Sequence, residues 1–200
     1  MSCCEDHIHD EACGEEYSLW QQIDIQNVSC LNEAHDGSAK TVFKHWQDRH
    51  DTTKFVVSDA DEQLIINIPF TANIKLKSIS IVGAGDSAPS KMQAFTNRDD
   101  IDFDSAEGTP AAQEWELVRD TPRGEIAEYA TRLTKFQNVR KLTLYFTENF
   151  GGDTTKITYI GLKGEYTEIK QDPIITVYEL AANPADHKTK SLDQLGSMIQ

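Results

Sequence analysis

The side chains best suited to hold a metal ion lie close together near the N-terminus, at Cys3, Cys4, His7, His9 and Cys13. Thiolates and imidazoles are the ligands that zinc and copper prefer. A closed structural zinc site, however, usually draws its ligands in pairs from two separated clusters. These five residues instead share one acidic stretch. Residues 1–16 are therefore predicted to be a disordered tail, with weak metal binding as the alternative, and no other cofactor is predicted.

A nucleophile is the second chemistry to consider, and Cys30 is the only cysteine outside that stretch. A catalytic thiol needs a histidine beside it as an activating base. The nearest candidates in the chain are His35, His45 and His50, and nothing in the sequence places one of them against the thiol. The chain also lacks a C-x-x-C redox motif. The sequence therefore predicts a buried, inert cysteine and a protein that is not an enzyme.

Two acidic segments could offer oxygen ligands or a charged surface. Asp59, Asp61 and Glu62 carry the oxygen atoms that calcium prefers, but their spacing is not that of an EF-hand loop. We interpret them as solvated turn residues. The second segment contains Asp99, Asp100, Asp102 and Asp104. We interpret this segment as a solvated turn too, with an acidic contact surface as the alternative.

Charge is distributed unevenly along the 200 residues, which carry a net charge of −14. Residues 1–39 hold nine acidic residues and no lysine or arginine, whereas the other 161 residues hold 24 acidic and 19 basic residues, a net of −5. Binding to a phosphate backbone needs clustered basic residues, so no nucleic-acid partner is predicted. No membrane-spanning segment and no signal peptide are predicted from the sequence. We expect a monomer in the cytoplasm and nucleus.

The most apolar stretch predicts the central strand of the fold. Residues 64–68 contain four large aliphatic side chains before Pro69, three of them β-branched, which indicates a strand buried on both faces. A turn is predicted at 71–73. Alternation then resumes, but its phase slips by one residue near Lys77 and Ser78. A β-bulge there would restore the phase, and a strand that buries both faces explains the pattern equally well.

Short alternating segments surround this stretch and predict an all-β fold. The connection at 149–153 is rich in glycine and is predicted to be a hairpin loop. Many short strands without a convincing long helix indicate a single-domain β-sandwich or barrel. The predicted strands are 23–28, 55–57, 92–95, an edge-like 114–118, 142–147, 157–161 and 174–178. Residues 126–133 fit either a strand or a helix.

Several segments, in order along the chain, resemble one known family, the PITH domain. They are SDADEQL with NIPFT within 58–71, CLNE at 30–33, FQNV at 136–139, NFGGDTTK at 149–156, YIGLKGE at 159–165 and NPADH at 183–187. The resemblance is strongest to members that consist of this domain alone. Those members lack a thioredoxin domain, so redox activity is not implied.

The resemblance implies a jelly-roll of the galactose-binding-like kind over residues 17–182. It also implies a non-catalytic interaction module whose partner is the regulatory particle of the 26S proteasome, as the family name, proteasome-interacting thioredoxin, indicates. A different function is a lectin-like or small-ligand-binding jelly-roll, in which Trp46, Trp115 and Tyr145 would stack on a sugar ring. Aromatic residues in β-domains more often belong to the core.

The last residues, 183–200, are predicted to be a flexible tail. Ser191 and Gln194 fit a helical capping box. The residues that follow at helical spacing are Leu192, Leu195, Met198 and Ile199. A lone helix this short is marginal in water. The tail is therefore expected to be disordered when free, and its apolar stripe is a candidate partner-binding element that orders on binding.

Overall fold

The computed structural model describes residues 17–119 and 126–168, and these residues belong to one compact unit. No helix in those two ranges is long and apolar enough to cross a membrane. The strands are β1 (Ser29–Leu31), β2 (Val56–Val57), β3 (Leu64–Gly83), β4 (Pro89–Thr96), β5 (Gln113–Glu116), β6 (Glu128–Ala130), β7 (Val139–Asn149) and β8 (Lys156–Thr167). The helices are α1 (Phe103–Gly108) and short 3-10 helices at Trp20–Gln22, Ile25–Asn27, Ser38–Val42, Trp46–Asp48 and Gly85–Ser87.

Strand β3 takes part in both layers of the sandwich. Its first part pairs with β7, from Leu64 opposite Phe146 to Pro69 opposite Lys141. Its second part pairs with β8 and β6. One layer therefore runs β5–β4–β7–β3 with β1 beyond β3, and the other runs β2–β8–β3 with β6 beyond β3. Every pairing is antiparallel, and the predicted all-β sandwich is confirmed.

Burial on both faces of the first part of β3 is also confirmed. Leu64, Ile66 and Ile68 are fully buried in the main core between the layers. Ile65 points the other way and is fully buried in a second apolar cluster. That cluster also contains Phe95, Ile101, Ala106 and Tyr145. Segment 101–106 thus covers part of the outer face of the β5–β4–β7–β3 layer.

The predicted bulge is present in the second part of β3. Leu76 lies opposite Gly164, and Ser78 lies opposite Lys163, so two steps along β3 match one step along β8. The extra residue is Lys77, whose carbonyl accepts a hydrogen bond from the Thr131 amide at 2.9 Å. Because the bulge changes the phase, Leu76 and Ile79 are both fully buried.

The predicted turn at 71–73 is wrong, because the backbone stays extended there while β3 passes from one layer to the other. Between Pro69 and Ile74 five steps on β3 correspond to two steps on β7. The pairing with β8 begins at Asn73. The polar residues that indicated a turn lie at this crossing, where Asn73 Oδ1 accepts a hydrogen bond from Arg140 Nε.

Two further predictions are corrected. Residues 23–28 do not form a strand, since their backbone coils into the helix Ile25–Asn27 and the first strand is β1. The Asp24 carboxylate accepts a hydrogen bond from Asn27 Nδ2 at 2.7 Å, and this bond spans the short helix. The loop at 149–153 does not close a hairpin, because β7 and β8 lie on opposite sides of β3.

The remaining strand predictions agree with the structure where it describes them. Strands β2, β4, β7 and β8 overlap their predicted ranges, β5 lies at an edge as predicted, and the open segment 126–133 contains β6. The predicted strand 174–178 lies outside the described residues. The second acidic segment leads into the helix α1, which starts at Phe103, and the Asp102 side chain caps its N-terminus by accepting a hydrogen bond from the Ser105 amide.

Replacing Gly164 by alanine is expected to destabilise the fold. A Cβ atom there would overlap the Lys75 carbonyl oxygen of the paired strand, and backbone cannot move aside as a flexible side chain can. We expect a loss of about 1–3 kcal/mol in the free energy of unfolding, as for other overpacked sites. Urea denaturation followed by tryptophan fluorescence measures this loss. Gly108→Ala is the control, since nothing lies within 4 Å of its added Cβ. Equal stability of the two variants would contradict the close approach.

Candidate interaction surface

Two of the predicted sites lie outside the described residues. They are the N-terminal metal candidates Cys3, Cys4, His7, His9 and Cys13, and the C-terminal apolar stripe Leu192, Leu195, Met198 and Ile199. Within residues 17–119 and 126–168, no three His, Cys, Asp or Glu side chains are grouped so that they could hold a metal ion.

The acidic turn before β3 is a structural element. Ser58 is buried, and its hydroxyl donates to the Asp61 carbonyl and accepts from the Thr155 amide at 2.8 Å. The Asp61 carboxylate accepts from the Gln63 amide at 3.0 Å and from Asn32 Nδ2 at 2.8 Å. These bonds hold together three segments that carried the family resemblance. Both bonds to the Asp61 carboxylate end on Oδ1, so this oxygen serves the turn.

The CLNE segment supplies further turn contacts. Asn32 adopts a left-handed conformation with φ of 68°, which asparagine tolerates. Its side chain accepts a hydrogen bond from the Ala60 amide and donates to the Gln63 carbonyl. The Glu33 carboxylate accepts hydrogen bonds from the amides of Gly37 and Ala39 at the start of the helix Ser38–Val42. The segment therefore stabilises the loops at this end of the sandwich.

Cys30 lies on β1 and is partly buried. Burial, together with the nearby Glu33 carboxylate, raises the pKa of its thiol. Because a nucleophilic cysteine needs a lowered pKa, this thiol stays protonated and unreactive at neutral pH.

The glycine-rich loop that joins β7 to β8 packs against the turn before β4. Asn149 Nδ2 donates to the carbonyls of Gly152 and Thr154, and Gly151 has a φ of 111° that side chains rarely adopt. The Gly152 amide donates to the Asp86 carbonyl at 3.1 Å. The loop thus crosses between the layers in one fixed path.

Three carboxylates of the second acidic segment are engaged locally. Hydrogen bonds from Arg98 lower the pKa of Asp100 to about 2. Asp99 pairs with Lys141 at 2.7 Å, and Asp102 caps α1. Their carboxylates are exposed and make contacts within the turn, as the solvated-turn interpretation predicts.

The three aromatic residues proposed to stack on a sugar are each engaged within the domain, and Trp46 lies apart from the two clefts that Trp115 and Tyr145 line. The Trp46 ring has the Arg49 guanidinium at 4.5 Å and the Lys163 ammonium at 4.7 Å from its centroid. Trp115 Nε1 donates to the Ala130 carbonyl at 3.0 Å, and its ring packs on the core. Tyr145 is only 4% exposed, and its hydroxyl donates to Gln63 Oε1 at 2.5 Å. Their polar and aromatic groups serve packing within the domain.

Two adjoining clefts, each of about 570 Å³, lie on the outer face of the β5–β4–β7–β3 layer. They share Gln93, Glu114 and Thr147. We call them together the polar groove. Its other lining side chains with charged or hydrogen-bonding groups are Gln63, Lys91, Glu107, Thr109, Trp115, Glu116, Tyr145 and Glu148.

The sequence analysis missed this groove because its lining comes from separate elements that only the fold brings together. The available signal was the alternation along β4 and β5, in which Lys91, Gln93, Glu114 and Glu116 occupy every second position. Alternation indicates one exposed face for each strand. It does not show that the two faces adjoin, which follows from the register of Lys91 opposite Glu116 and Gln93 opposite Glu114.

The groove has a negative electrostatic character. Four lining carboxylates, on Glu107, Glu114, Glu116 and Glu148, outnumber the single ammonium of Lys91, which gives a net charge of −3. Lys91 Nζ contacts Glu148 Oε1 at 2.6 Å, and this hydrogen bond raises the pKa of the lysine.

The pKa of Tyr145, at the other end of the groove, is shifted by burial and by the same negative charge. Burial raises the pKa of its hydroxyl, and the carboxylates of Glu107 and Asp61 raise it further. The groove therefore favours cationic groups and disfavours anions.

Comparison with protein-family models matches residues 9–182 to the PITH domain. The chain belongs to the PITH domain family. Among curated relatives, PITH domain-containing protein GA19395 of Drosophila pseudoobscura is 53% identical over 94% of this chain and 88% of its own length. Human PITH domain-containing protein 1 is 48% identical over 89% of this chain and 84% of its own length. The family resemblance drawn from the sequence segments is thereby confirmed.

Solved structures support the predicted galactose-binding-like jelly-roll. The CBM32-3 module of a family 31 glycoside hydrolase from Clostridium perfringens has a TM-score of 0.53 and covers 76% of this chain and 98% of the module. Sequence identity is 14%, so the likeness concerns the fold of this PITH domain.

Removing the Ser58 hydroxyl is expected to weaken the loop end of this PITH domain. Ser58→Ala leaves the Asp61 carbonyl and the buried Thr155 amide without their shared partner. We expect a loss of about 1–3 kcal/mol in the free energy of unfolding, the usual cost of buried polar groups left unpaired. Chemical denaturation measures it. Ser29→Ala, on the exposed side of β1, is the control, and a Ser58 effect no larger than the control would argue against the role of this hydroxyl.

Proposed function

We propose that this chain is a non-catalytic interaction module that binds the regulatory particle of the 26S proteasome. The observation that carries the proposal is the match of residues 9–182 to the PITH domain, together with relatives of similar length that are named for that domain. The family name denotes interaction with the proteasome. The proposal includes a monomeric chain located in the cytoplasm and nucleus, where proteasomes occur.

The chemistry of the described residues supports a binding role. Cys30 keeps a protonated thiol, and residues 17–119 and 126–168 contain no grouping suited to a metal ion. The segments shared with the family are occupied in holding loops. A rigid domain with exposed charged surfaces suits recognition of another protein better than bond making and breaking.

The lectin-like alternative has less support. Sugar binding usually needs an exposed aromatic face. Here Trp115 packs towards Phe136 with its ring centroid 6.2 Å away, and Tyr145 packs against Phe103 at 6.0 Å. The likeness to CBM32 modules concerns the fold and does not transfer their ligands. A glycan array that gives specific, saturable binding would favour this alternative over the proposal.

Direct binding is tested with purified components. The tagged full-length chain is expected to retain intact 26S proteasomes from a purified preparation at low salt, because charged rim contacts are weakened by screening. The 20S core particle alone is the control and is expected to pass through, since the proposal assigns the contact to the regulatory particle. Absence of 26S retention, or equal retention of the 20S particle, would refute the proposal.

The contribution of the C-terminal tail is tested by deleting residues 188–200. If the apolar stripe orders on the partner, the deletion lowers proteasome affinity by about tenfold or more, as for the loss of an interface anchor. The melting temperature is expected to stay unchanged. Leu195→Asn with Ile199→Asn should reproduce the loss, and Lys190→Gln serves as control. Unaltered affinity would assign the contact to the β-domain alone.

A further inference from the structure

The outer face of the β5–β4–β7–β3 layer is covered over only part of its area. Segment 101–106 lies over Ile65 and Phe95 and buries them almost completely. Beside this covered part, the same face continues into the polar groove, where Lys91 and Glu114 are exposed. One part of the face is therefore covered by segment 101–106, and the other part presents polar side chains to solvent.

Some polar groups in the groove have no partner among the described residues. Gln63 accepts the hydrogen bond of Tyr145 through Oε1, and its amide nitrogen makes no bond there. The Thr147 hydroxyl and the Glu107 carboxylate likewise make none with the described part of the chain. Gln93 donates to Glu114 at 3.2 Å, which leaves its carbonyl oxygen able to accept. The groove thus offers both donors and acceptors alongside its excess of carboxylates.

The carboxylates of β5 have the spacing of an extended chain. Glu114 and Glu116 are exposed on one face of the strand and are two residues apart. Alternate side chains on a strand are separated by roughly 6.5 Å, twice the rise per residue. An extended segment that runs along β5 places its own alternate side chains at the same interval. The net charge of −3 selects lysine or arginine at those positions.

We propose that the polar groove binds an extended, lysine- or arginine-bearing segment of a partner protein. The proposal deepens the proposed function and rests on it only for the identity of the partner. Other occupants fit less well. Of the aromatic rings that line the groove, Tyr145 is 4% exposed and Trp115 is half-buried and packs towards Phe136. The charge of the groove opposes an anion, and its carboxylates are not grouped as metal ligands.

A labelled peptide of alternating lysine and threonine is the probe, and its glutamate counterpart is the control peptide. The full-length chain is titrated and followed by fluorescence anisotropy and by the NMR signals of the side-chain amides and the Trp115 indole. The lysine peptide is expected to bind and to shift the signals of Gln63, Gln93 and Trp115. No binding, or shifts spread over all acidic surfaces, would overturn the proposal.

Charge reversal locates the binding. The double substitution Glu107→Lys and Glu114→Lys is expected to weaken binding of the lysine peptide by at least about tenfold, because the attraction between groove and peptide becomes repulsion. The control is the double substitution Asp36→Lys and Asp48→Lys, which changes the net charge equally at exposed positions outside the groove. Its affinity for the lysine peptide is expected to stay within about twofold of wild type, since screening limits the reach of surface charges. Melting curves confirm that both variants are folded. An equal loss in both would show non-specific electrostatics and overturn the proposal.

The same variants separate the groove from the proposed function. If wild type retains 26S proteasomes, the groove variant is expected to lose retention and the control variant to keep it. If wild type retains none while the lysine peptide binds in the groove, the proteasome assignment fails and the groove stands. If proteasome and peptide binding both survive the reversal at Glu107 and Glu114, the groove proposal fails alone.

Discussion

The two layers of this domain depend on one strand that belongs to both of them. Strand β3 pairs with β7 in its first part and with β8 in its second. Its side chains meet apolar partners on both sides near Ile65 and Ile66. Beyond the crossing, in the part that pairs with β8, the bulge at Lys77 changes the phase of the side chains, so that Leu76 and Ile79 can both enter the core. Fully burying such a side chain contributes about 1.5–3 kcal/mol.

The crossing of β3 creates a second requirement, because β7 and β8 then lie apart and their connection must span the layers. That loop leaves backbone groups near the core, and unpaired groups there are costly. Ser58 and Asn149 supply partners in that loop with side-chain hydrogen bonds, and Asn32 does the same for the turn before β3. Side chains of the segments that carried the family resemblance thus hold the loops at this end of the sandwich.

The outer face of the β5–β4–β7–β3 layer has two different parts. Segment 101–106 covers the apolar part, and the neighbouring part has polar residues at every exposed position of β4 and β5. A charged, hydrogen-bonding face beside a rigid apolar support can present side chains in fixed positions. Preorganised side chains lower the entropic cost of binding a partner, which is how the sandwich architecture would serve the interaction role proposed above.

The sequence by itself determined the features that depend on local pattern. Alternation placed most of the described strands, and the β-branched run marked a strand buried on both faces, because side-chain direction follows residue number along a strand. The phase slip marked the position near Lys77, but it left a bulge and a strand buried on both faces as equal explanations. Ordered motifs identified the family. Local pattern was misleading at 71–73 and 149–153, where polar and glycine-rich residues suit a turn, a crossing or an inter-layer loop alike.

Only the tertiary structure decided which strands are neighbours, and the polar groove depends on that choice. Gln63, Gln93, Glu107, Glu114 and Thr147 are brought together by the register of β4 with β5 and β7 and by the placement of α1. Residues distant in sequence meet through long-range backbone pairing and core packing. The energies of those contacts depend on partners that no local pattern specifies, so this surface could be seen only in the folded chain.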